Sequence, residues 1–174
     1  MHWYEIMDSL FEAGWIPVAV AAAGAVAVAG IGGLLTEIGP WYRALRKPSW
    51  QPREWLFGPA WTLIFALAVW AAVLAWNAAP NDDARSLIVA LFVLNGAFNI
   101  GWSGLFFKLR RPDWALVEVF GLWLSVAALI ATIGGSVPVA GWLLAPYLAW
   151  VTFAAILNRV IVQLNEPFAI RVPA

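Results

Sequence analysis

The third long apolar stretch of the chain carries two asparagine amides. Asn95, Asn99, Trp102 and Phe106 follow steps of four, three and four, so on a helix they share one face. Amides inside a membrane need partners, and the ordinary partner is a group on a neighbouring helix. A ligand lying against this face could supply the same hydrogen bonds, so both interpretations stay open.

Aromatic rings follow helical spacing in two further apolar stretches. Trp61 and Phe65 are four residues apart, and Tyr147, Trp150 and Ala154 form one stripe of another helix. Rings beside small residues leave room for a flat hydrophobic guest. The same pattern is typical of tight helix packing, and spacing alone favours packing over a pocket.

Titratable and metal-binding groups are scarce. Glu118 is the only acidic residue well inside an apolar stretch, and such carboxylates are functional candidates. Because Arg110, Arg111 and Asp113 lie shortly before it, we interpret Glu118 as a member of an interfacial ion pair. The chain has no cysteine and its one histidine is His2, so we expect no metal site and no cofactor.

The apolar stretches themselves predict an all-α membrane protein. Of 174 residues, 63% are hydrophobic and 11% are charged, against about 25% charged in soluble domains. We predict a single transmembrane domain over residues 1–174, a five-transmembrane-helix bundle with a long first loop as lid. The predicted helices cover about 15–35, 55–76, 86–107, 114–133 and 139–162, and the lid loop covers 36–54. A turn at Gly134–Pro138 divides the last two, and spacing between Trp3 and Phe11 predicts a short interfacial helix before the first.

Basic residues lie almost entirely on one side of the predicted spans. Nine are on the side of the first loop, the third loop and the C-terminus, and one, Arg85, is on the other. The nine are Arg43, Arg46, Lys47, Arg53, Lys108, Arg110, Arg111, Arg159 and Arg171. This asymmetry predicts an external N-terminus and a cytoplasmic C-terminus. The net charge of zero and the lack of a basic block argue against a nucleic-acid partner.

Small residues form stripes on two helices. On the third span they are Ala90, Ala97, Gly101 and Gly104, opposite the asparagine face, and on the first span they are Ala21, Ala25, Ala29 and Gly33. Small stripes let helices approach closely in lipid. We expect the stripe of the third span to meet a second copy of the chain in a homodimer, and we interpret that of the first span as packing.

The first loop combines prolines with aromatic rings, among them Trp41, Tyr42 and Trp50. Prolines stiffen the backbone without continuing a helix. The loop is therefore either a stiff lid over one end of the bundle or a connection anchored at the lipid headgroups by its tryptophans.

Five groups of motifs, in order and at matching spacing, resemble the tryptophan-rich sensory protein family. This family is also called the translocator protein or peripheral benzodiazepine receptor family (TspO/MBR). The matching residues are Trp41–Tyr42 with Lys47–Pro52, Phe57–Thr62, Leu94–Asn99 with Trp102–Phe107, Ala115–Glu118, and Pro146–Trp150 with Leu157–Asn158. The resemblance covers about residues 33–165.

The resemblance implies a five-helix bundle, commonly dimeric, with a cavity closed by the first loop. Members of the family bind porphyrins, including protoporphyrin IX, and isoquinoline or benzodiazepine drugs, and several bind cholesterol. The positions that match the family's pocket are Tyr42, Pro52, Trp61, Phe65, Asn95, Asn99, Trp102, Tyr147, Trp150 and Ala154. Trp61 and Trp150 also match tryptophans implicated in light-dependent porphyrin breakdown in some bacterial members.

Three positions depart from the family pattern. Arg53 stands where a second proline is usual and puts a charge on the lid, and Phe65 stands where a tyrosine is frequent. Arg159 follows Leu157–Asn158, where the cholesterol-recognition segment of animal members needs a tyrosine. Sterol recognition through that segment is therefore not expected.

Our leading hypothesis is a porphyrin-binding membrane sensor or regulator that also accepts isoquinoline or benzodiazepine ligands. The porphyrin would stack on Trp61 and Trp150, with its propionates toward Arg43, Arg46 or Arg53. One alternative is a light-dependent porphyrin-degrading enzyme with Trp61 and Trp150 as its catalytic residues. The other is a transporter of porphyrins or other lipophiles. The sequence offers neither a nucleophile with its base nor a relay of buried charges, which weighs against ordinary catalysis and ion-coupled transport.

Overall fold

The computed structural model describes residues 14–168. Within this range the chain forms helices and no strand, and five helices are long and apolar enough to cross a membrane. They are α1 (Trp15–Leu35), α2 (Phe57–Ala78), α3 (Asp82–Ser103), α4 (Pro112–Ser136) and α5 (Pro138–Asn165). The prediction of an all-α bundle with five membrane-spanning helices is confirmed. The predicted interfacial helix lies outside the described residues.

Several helices extend beyond their predicted ends because polar residues and prolines favour additional turns. The Asn81 side chain accepts a hydrogen bond from a backbone N–H in the first turn of α3, and the acidic residues of that turn suit the helix dipole. α3 therefore begins at Asp82, and it continues into a π-helical turn at Gly104–Lys108. α4 begins at Pro112, whose fixed φ suits a first helical turn. A 3-10 turn, Glu54–Leu56, leads into α2.

The boundary between α4 and α5 is tighter than the predicted turn over Gly134–Pro138. Both glycines of that segment stay in α4, and only Val137 separates the two helices. A Cβ atom on Gly141 would lie 2.8 Å from the Cα atom of Gly134, so the two helices meet through bare backbone. Gly134 serves close packing, and neither glycine forms a loop.

The five helices form a ring in the order α1, α2, α5, α4, α3, with α3 returning to α1. The most extensive contact joins α4 and α5. Buried side chains fill the end of the ring near the α4–α5 junction, where Leu129 and Leu144 are fully buried. At the opposite end the lid, residues 36–54, packs on the bundle through Tyr42 and its short helix Pro40–Ala44.

Candidate ligand-binding site

A cavity of about 900 Å³ lies inside the ring beside the lid. Small-molecule sites usually measure about 300–1,000 Å³, so this one is at the upper end of that range. All five helices and the lid contribute to its lining. The residues from the predicted site that line it are Tyr42, Trp61, Phe65, Asn99, Trp102, Trp150 and Ala154. The other three, Pro52, Asn95 and Tyr147, do not.

One wall of the cavity is a set of mutually packed rings from α2 and α5. Trp61 stacks on Phe65 with ring centroids 5.4 Å apart, since the two residues are one helical turn apart. The Trp150 ring meets Trp61 edge to face at 6.4 Å and Phe57 at 5.5 Å. Each of the two indoles therefore packs against at least one other ring. The wall thus has a defined shape that suits a flat apolar ligand.

Behind this wall a chain of hydrogen bonds links α3, α5 and α4. The Asn99 Nδ2 donates to the Tyr147 hydroxyl at 3.0 Å, and that hydroxyl donates to the Asn95 Oδ1 at 3.1 Å. The Asn95 Nδ2 in turn donates to the Ser125 Oγ at 2.8 Å. Asn95 thus has interhelical partners and lies away from the cavity, while Asn99 belongs to both the network and the lining. Nothing in the sequence pattern identified Ser125.

The lid places a polar cluster at one end of the cavity. Tyr42 is 7% exposed, and its hydroxyl accepts a hydrogen bond from the Gln51 Nε2 at 3.2 Å. Burial raises the pKa of the Tyr42 phenol, so the ring stays neutral. The Lys47 Nζ lies 3.6 Å from the centroid of the Tyr42 ring and 3.6 Å from the Glu54 Oε1. Tyr42 and Glu54 both line the cavity.

Two connections fasten the lid to the helix ends. The Arg46 N–H donates to the Asn165 Oδ1 at 2.8 Å, and the Asn165 Nδ2 donates to the Arg46 carbonyl at 2.8 Å. At the start of the lid the Lys108 Nζ donates to the Glu37 carboxylate at 2.6 Å, which lowers the pKa of that carboxyl. The lid is therefore tied to the ends of both α5 and α3.

The arginines of the lid do not lie where a bound porphyrin was expected to place its propionates. Arg43, Arg46 and Arg53 are exposed, and none of them lines the cavity. The expectation that they face the pocket is wrong. Their side chains point to water because a guanidinium is costly to bury beside aromatic rings without an anion. Lys47 is a lid cation that contacts two lining residues, Tyr42 and Glu54.

The small-residue stripe of α1 does more than pack against neighbouring helices. Ala25, Ala29 and Gly33 line the cavity. Small side chains on a helix leave space that a neighbour either fills or leaves open, and spacing in the sequence does not distinguish these outcomes. The order of the helices in the ring decides whether this space is filled, and here the space remains open.

The predicted dimer stripe on α3 divides between two environments. Ala90 and Ala97 are exposed on the outer surface of the bundle. A Cβ atom on Gly101 would lie 3.6 Å from the Glu118 Oε1, and one on Gly104 would lie 3.8 Å from the Leu35 side chain. The two glycines thus make room for side chains of the same chain.

Glu118 does not form the interfacial ion pair that we expected. Arg111 pairs with Asp113, with its Nε donating to the Asp113 Oδ1 at 2.8 Å. Both carboxylate oxygens of Glu118 are inaccessible and have no hydrogen-bond partner among the described residues. Arg111 is the N-terminal cap of α4, so its side chain reaches the first turn, where Asp113 lies, more readily than the second.

We expect Glu118→Met to raise the thermal stability of the protein, because it removes two buried oxygens that lack donors. A buried, unsatisfied polar group costs about 1–3 kcal/mol, and methionine keeps the length of the side chain. Asp113→Asn is the matched control on the same helix, and it should lower stability by up to about 1 kcal/mol by weakening an accessible ion pair. Thermal unfolding in detergent, followed by tryptophan fluorescence, measures both. A larger loss in Glu118→Met than in Asp113→Asn would mean that the carboxyl has a partner in the bundle.

Comparison with known proteins gives consistent matches over most of the chain. The family model described as the TspO/MBR family matches residues 18–164. A tryptophan-rich protein TspO of Chlorobaculum tepidum is 36% identical over 125 residues, 72% of this chain and 79% of that protein. The translocator protein of Sus scrofa is 34% identical over 160 residues, 87% of this chain and 92% of that protein. A tryptophan-rich sensory protein of Cereibacter sphaeroides is 36% identical over 146 residues, 84% of this chain and 88% of that protein.

Proposed function

Because this chain belongs to the TspO/MBR family and encloses an aromatic cavity beside its lid, we propose that it is a membrane sensor that binds a flat tetrapyrrole such as protoporphyrin IX. The observation that carries the proposal is the contact of Trp61 with Trp150 on the cavity wall. Two indoles held edge to face offer one flat face and one edge to a planar guest. The chain is a multi-pass integral membrane protein, so the cavity lies within a bundle of membrane-spanning helices.

The polar groups of the cavity suit a ligand with few polar atoms. Asn99 and Ser103 contribute uncharged polar side chains from α3. At the lid end, a carboxylate of the ligand would replace Glu54 as the partner of Lys47, whose Nζ lies only 3.6 Å from the present Glu54 oxygen. Smaller flat ligands of the isoquinoline or benzodiazepine type would occupy the same aromatic wall and compete with the porphyrin.

A second copy of the chain is the partner that we propose for the outer face of α3. Ala90 and Ala97 are exposed there beside the large apolar side chains Val93 and Leu94. Small residues beside large ones let two helices interlock in lipid. The homodimer would thus use the two alanines of the stripe, while Gly101 serves contacts within the chain.

The distribution of charge supports an external N-terminus and a cytoplasmic C-terminus. The contacts of Arg46 with Asn165 and of Glu37 with Lys108 bring the lid, the end of α3 and the end of α5 together at one end of the bundle. Most basic residues lie at this end, and Arg85 lies at the start of α3 near the other. Positive charge collects on the cytoplasmic side of membrane proteins.

Titration of the full-length protein in detergent with protoporphyrin IX tests the proposed function. Tryptophan fluorescence should be quenched to saturation at one porphyrin per chain, with a Kd on the order of micromolar, since several ring contacts of about 0.5–1.5 kcal/mol add to the apolar burial. An isoquinoline ligand should reverse the quenching. Quenching that rises linearly with porphyrin concentration and does not saturate, as it does for a free tryptophan derivative in the same micelles, would contradict the proposal.

A further inference from the structure

The cavity reaches the surface of the bundle between α1 and α2. Val26 of α1 lines the cavity and is also 71% exposed, so it stands on the rim between the two. On α2, Gly58, Thr62 and Ala66 line the cavity and are exposed as well. Gly32 is the one buried residue of α1, so this helix covers the cavity only thinly. The rim runs along two membrane-spanning helices and therefore faces lipid.

The side chains along this seam offer lipid an apolar surface. The Thr62 hydroxyl donates to the Gly58 carbonyl at 3.0 Å, and the Thr36 hydroxyl donates to the Gly32 carbonyl at 2.8 Å. Each threonine thus satisfies its hydroxyl on its own helix and leaves its methyl group free. The α1 and α2 side chains of the lining carry no charge. An apolar ring system can pass this seam without losing hydrogen bonds, and the carboxylates of a porphyrin avoid a high desolvation cost if they pass at the lid end, where the seam meets the polar lid.

The lid end of the cavity also has exposed lining residues, Ile38 and Glu54, but hydrogen bonds and ring contacts hold the lid in place there. Both hydrogen-bonding groups of the Arg46 backbone are bound by the side chain of Asn165. The Tyr42 side chain of the lid is nearly inaccessible, and its ring lies 5.5 Å from that of Phe107. A ligand that entered from water would have to break these contacts, whereas the lining at the seam includes residues as small as Ala29, Gly58 and Ala66.

We propose that the cavity exchanges its ligand directly with the bilayer through the seam between α1 and α2. Its ligands are then lipophiles dissolved in the membrane. The lid closes the pocket toward water and is not the ligand entrance. This inference rests on the proposed function, because it assumes that the cavity binds a ligand.

Stopped-flow binding of protoporphyrin IX to the protein in palmitoyl-oleoyl phosphatidylcholine nanodiscs tests the route. Val26→Trp and Ala66→Trp narrow the seam from its two sides and should each slow both association and dissociation about tenfold, as expected for a gate. Leu63→Trp is the matched control, because Leu63 is 59% exposed on α2 and does not line the cavity. It should exchange at the wild-type rates, and so should Asn165→Ala, which releases the lid.

Binding with wild-type rates in both seam variants would overturn the route and leave the proposed function standing. Faster exchange in Asn165→Ala, without an effect of Val26→Trp or Ala66→Trp, would assign the entrance to the lid. A wild-type protein that binds no porphyrin would overturn the proposed function, and the route with it.

Discussion

Trp150→Ala is expected to weaken the binding of protoporphyrin IX about 30-fold or more. The Trp150 indole lines the cavity and holds Trp61 and Phe57 edge to face, so its loss removes contact area and frees two further rings. An indole buries about 150–250 Å², and losing half of that contact at about 25 cal/mol per Å² costs roughly 2–3 kcal/mol. Trp61→Ala should have a similar effect. Absorbance of the porphyrin itself measures Kd, because the variants alter the tryptophan signal.

Trp142→Ala is the control for this experiment. Trp142 is on the same helix as Trp150, but it is 77% exposed and does not line the cavity. Its removal should leave Kd within about twofold of the wild type, since surface changes of this kind are usually within about 0.5 kcal/mol. Equal affinity in Trp150→Ala, Trp61→Ala and Trp142→Ala would exclude the aromatic wall as the binding surface.

Gly141→Ala is expected to destabilise the bundle at its most extensive helix contact. The added Cβ would lie 2.8 Å from the Cα atom of Gly134, which is backbone and cannot rotate away, so α4 and α5 must separate. Overpacking of this kind costs about 1–3 kcal/mol, or about 3–10 °C in Tm for a domain of this size. Alanine has a higher helix propensity than glycine, so the cost of overpacking must be larger than this gain for the variant to be less stable. Thermal unfolding in detergent gives the result.

Gly135→Ala provides the matched control from the neighbouring position. A Cβ atom there meets nothing within 4 Å, and Gly135 is helical. The substitution should keep or raise Tm, because it lowers the entropy of the unfolded chain. If Gly141→Ala melted at or above the temperature of Gly135→Ala, the close approach of α4 and α5 would not contribute to stability.

The fold could be predicted from the sequence because its determinants are local. The long uncharged stretches from Glu12 to Glu37 and from Glu54 to Asp82 indicate spans, whichever helices they pack against. The predicted helix ends were less accurate, because a capping residue such as Asn81 extends a helix into polar sequence. The Gly134–Gly135 pair suggested a loop, but both residues are helical, and Gly134 packs against Gly141. That contact depends on the tertiary structure, which local sequence does not encode.

The site was predictable where a side chain's role follows from its own helix face. Asn99, Trp102 and Trp150 lie at the cavity because each belongs to a face that points into the ring. Asn95 shares a face with Asn99, yet the Tyr147 hydroxyl and Ser125 come from other helices and engage it away from the cavity. Which residues of one face meet a cavity and which meet a neighbour depends on helix order.

Two further predictions failed because they depend on tertiary structure. Distance along the chain does not show whether Arg111 pairs with Glu118 or with Asp113. The pairing with Asp113 became clear only from where α4 begins. The lid arginines could not be oriented from the sequence, because a loop has no periodicity. Lys47 turns toward Tyr42 and Glu54, while Arg53 turns to water.

A structure of the full chain with bound protoporphyrin IX is the decisive test of porphyrin binding in the cavity. One macrocycle per chain is expected in the cavity of about 900 Å³, against Trp61 and Trp150 and beneath Tyr42 of the lid. A porphyrin seated in the outer groove between α4 and α5 near Trp142, with the cavity unchanged, would contradict it.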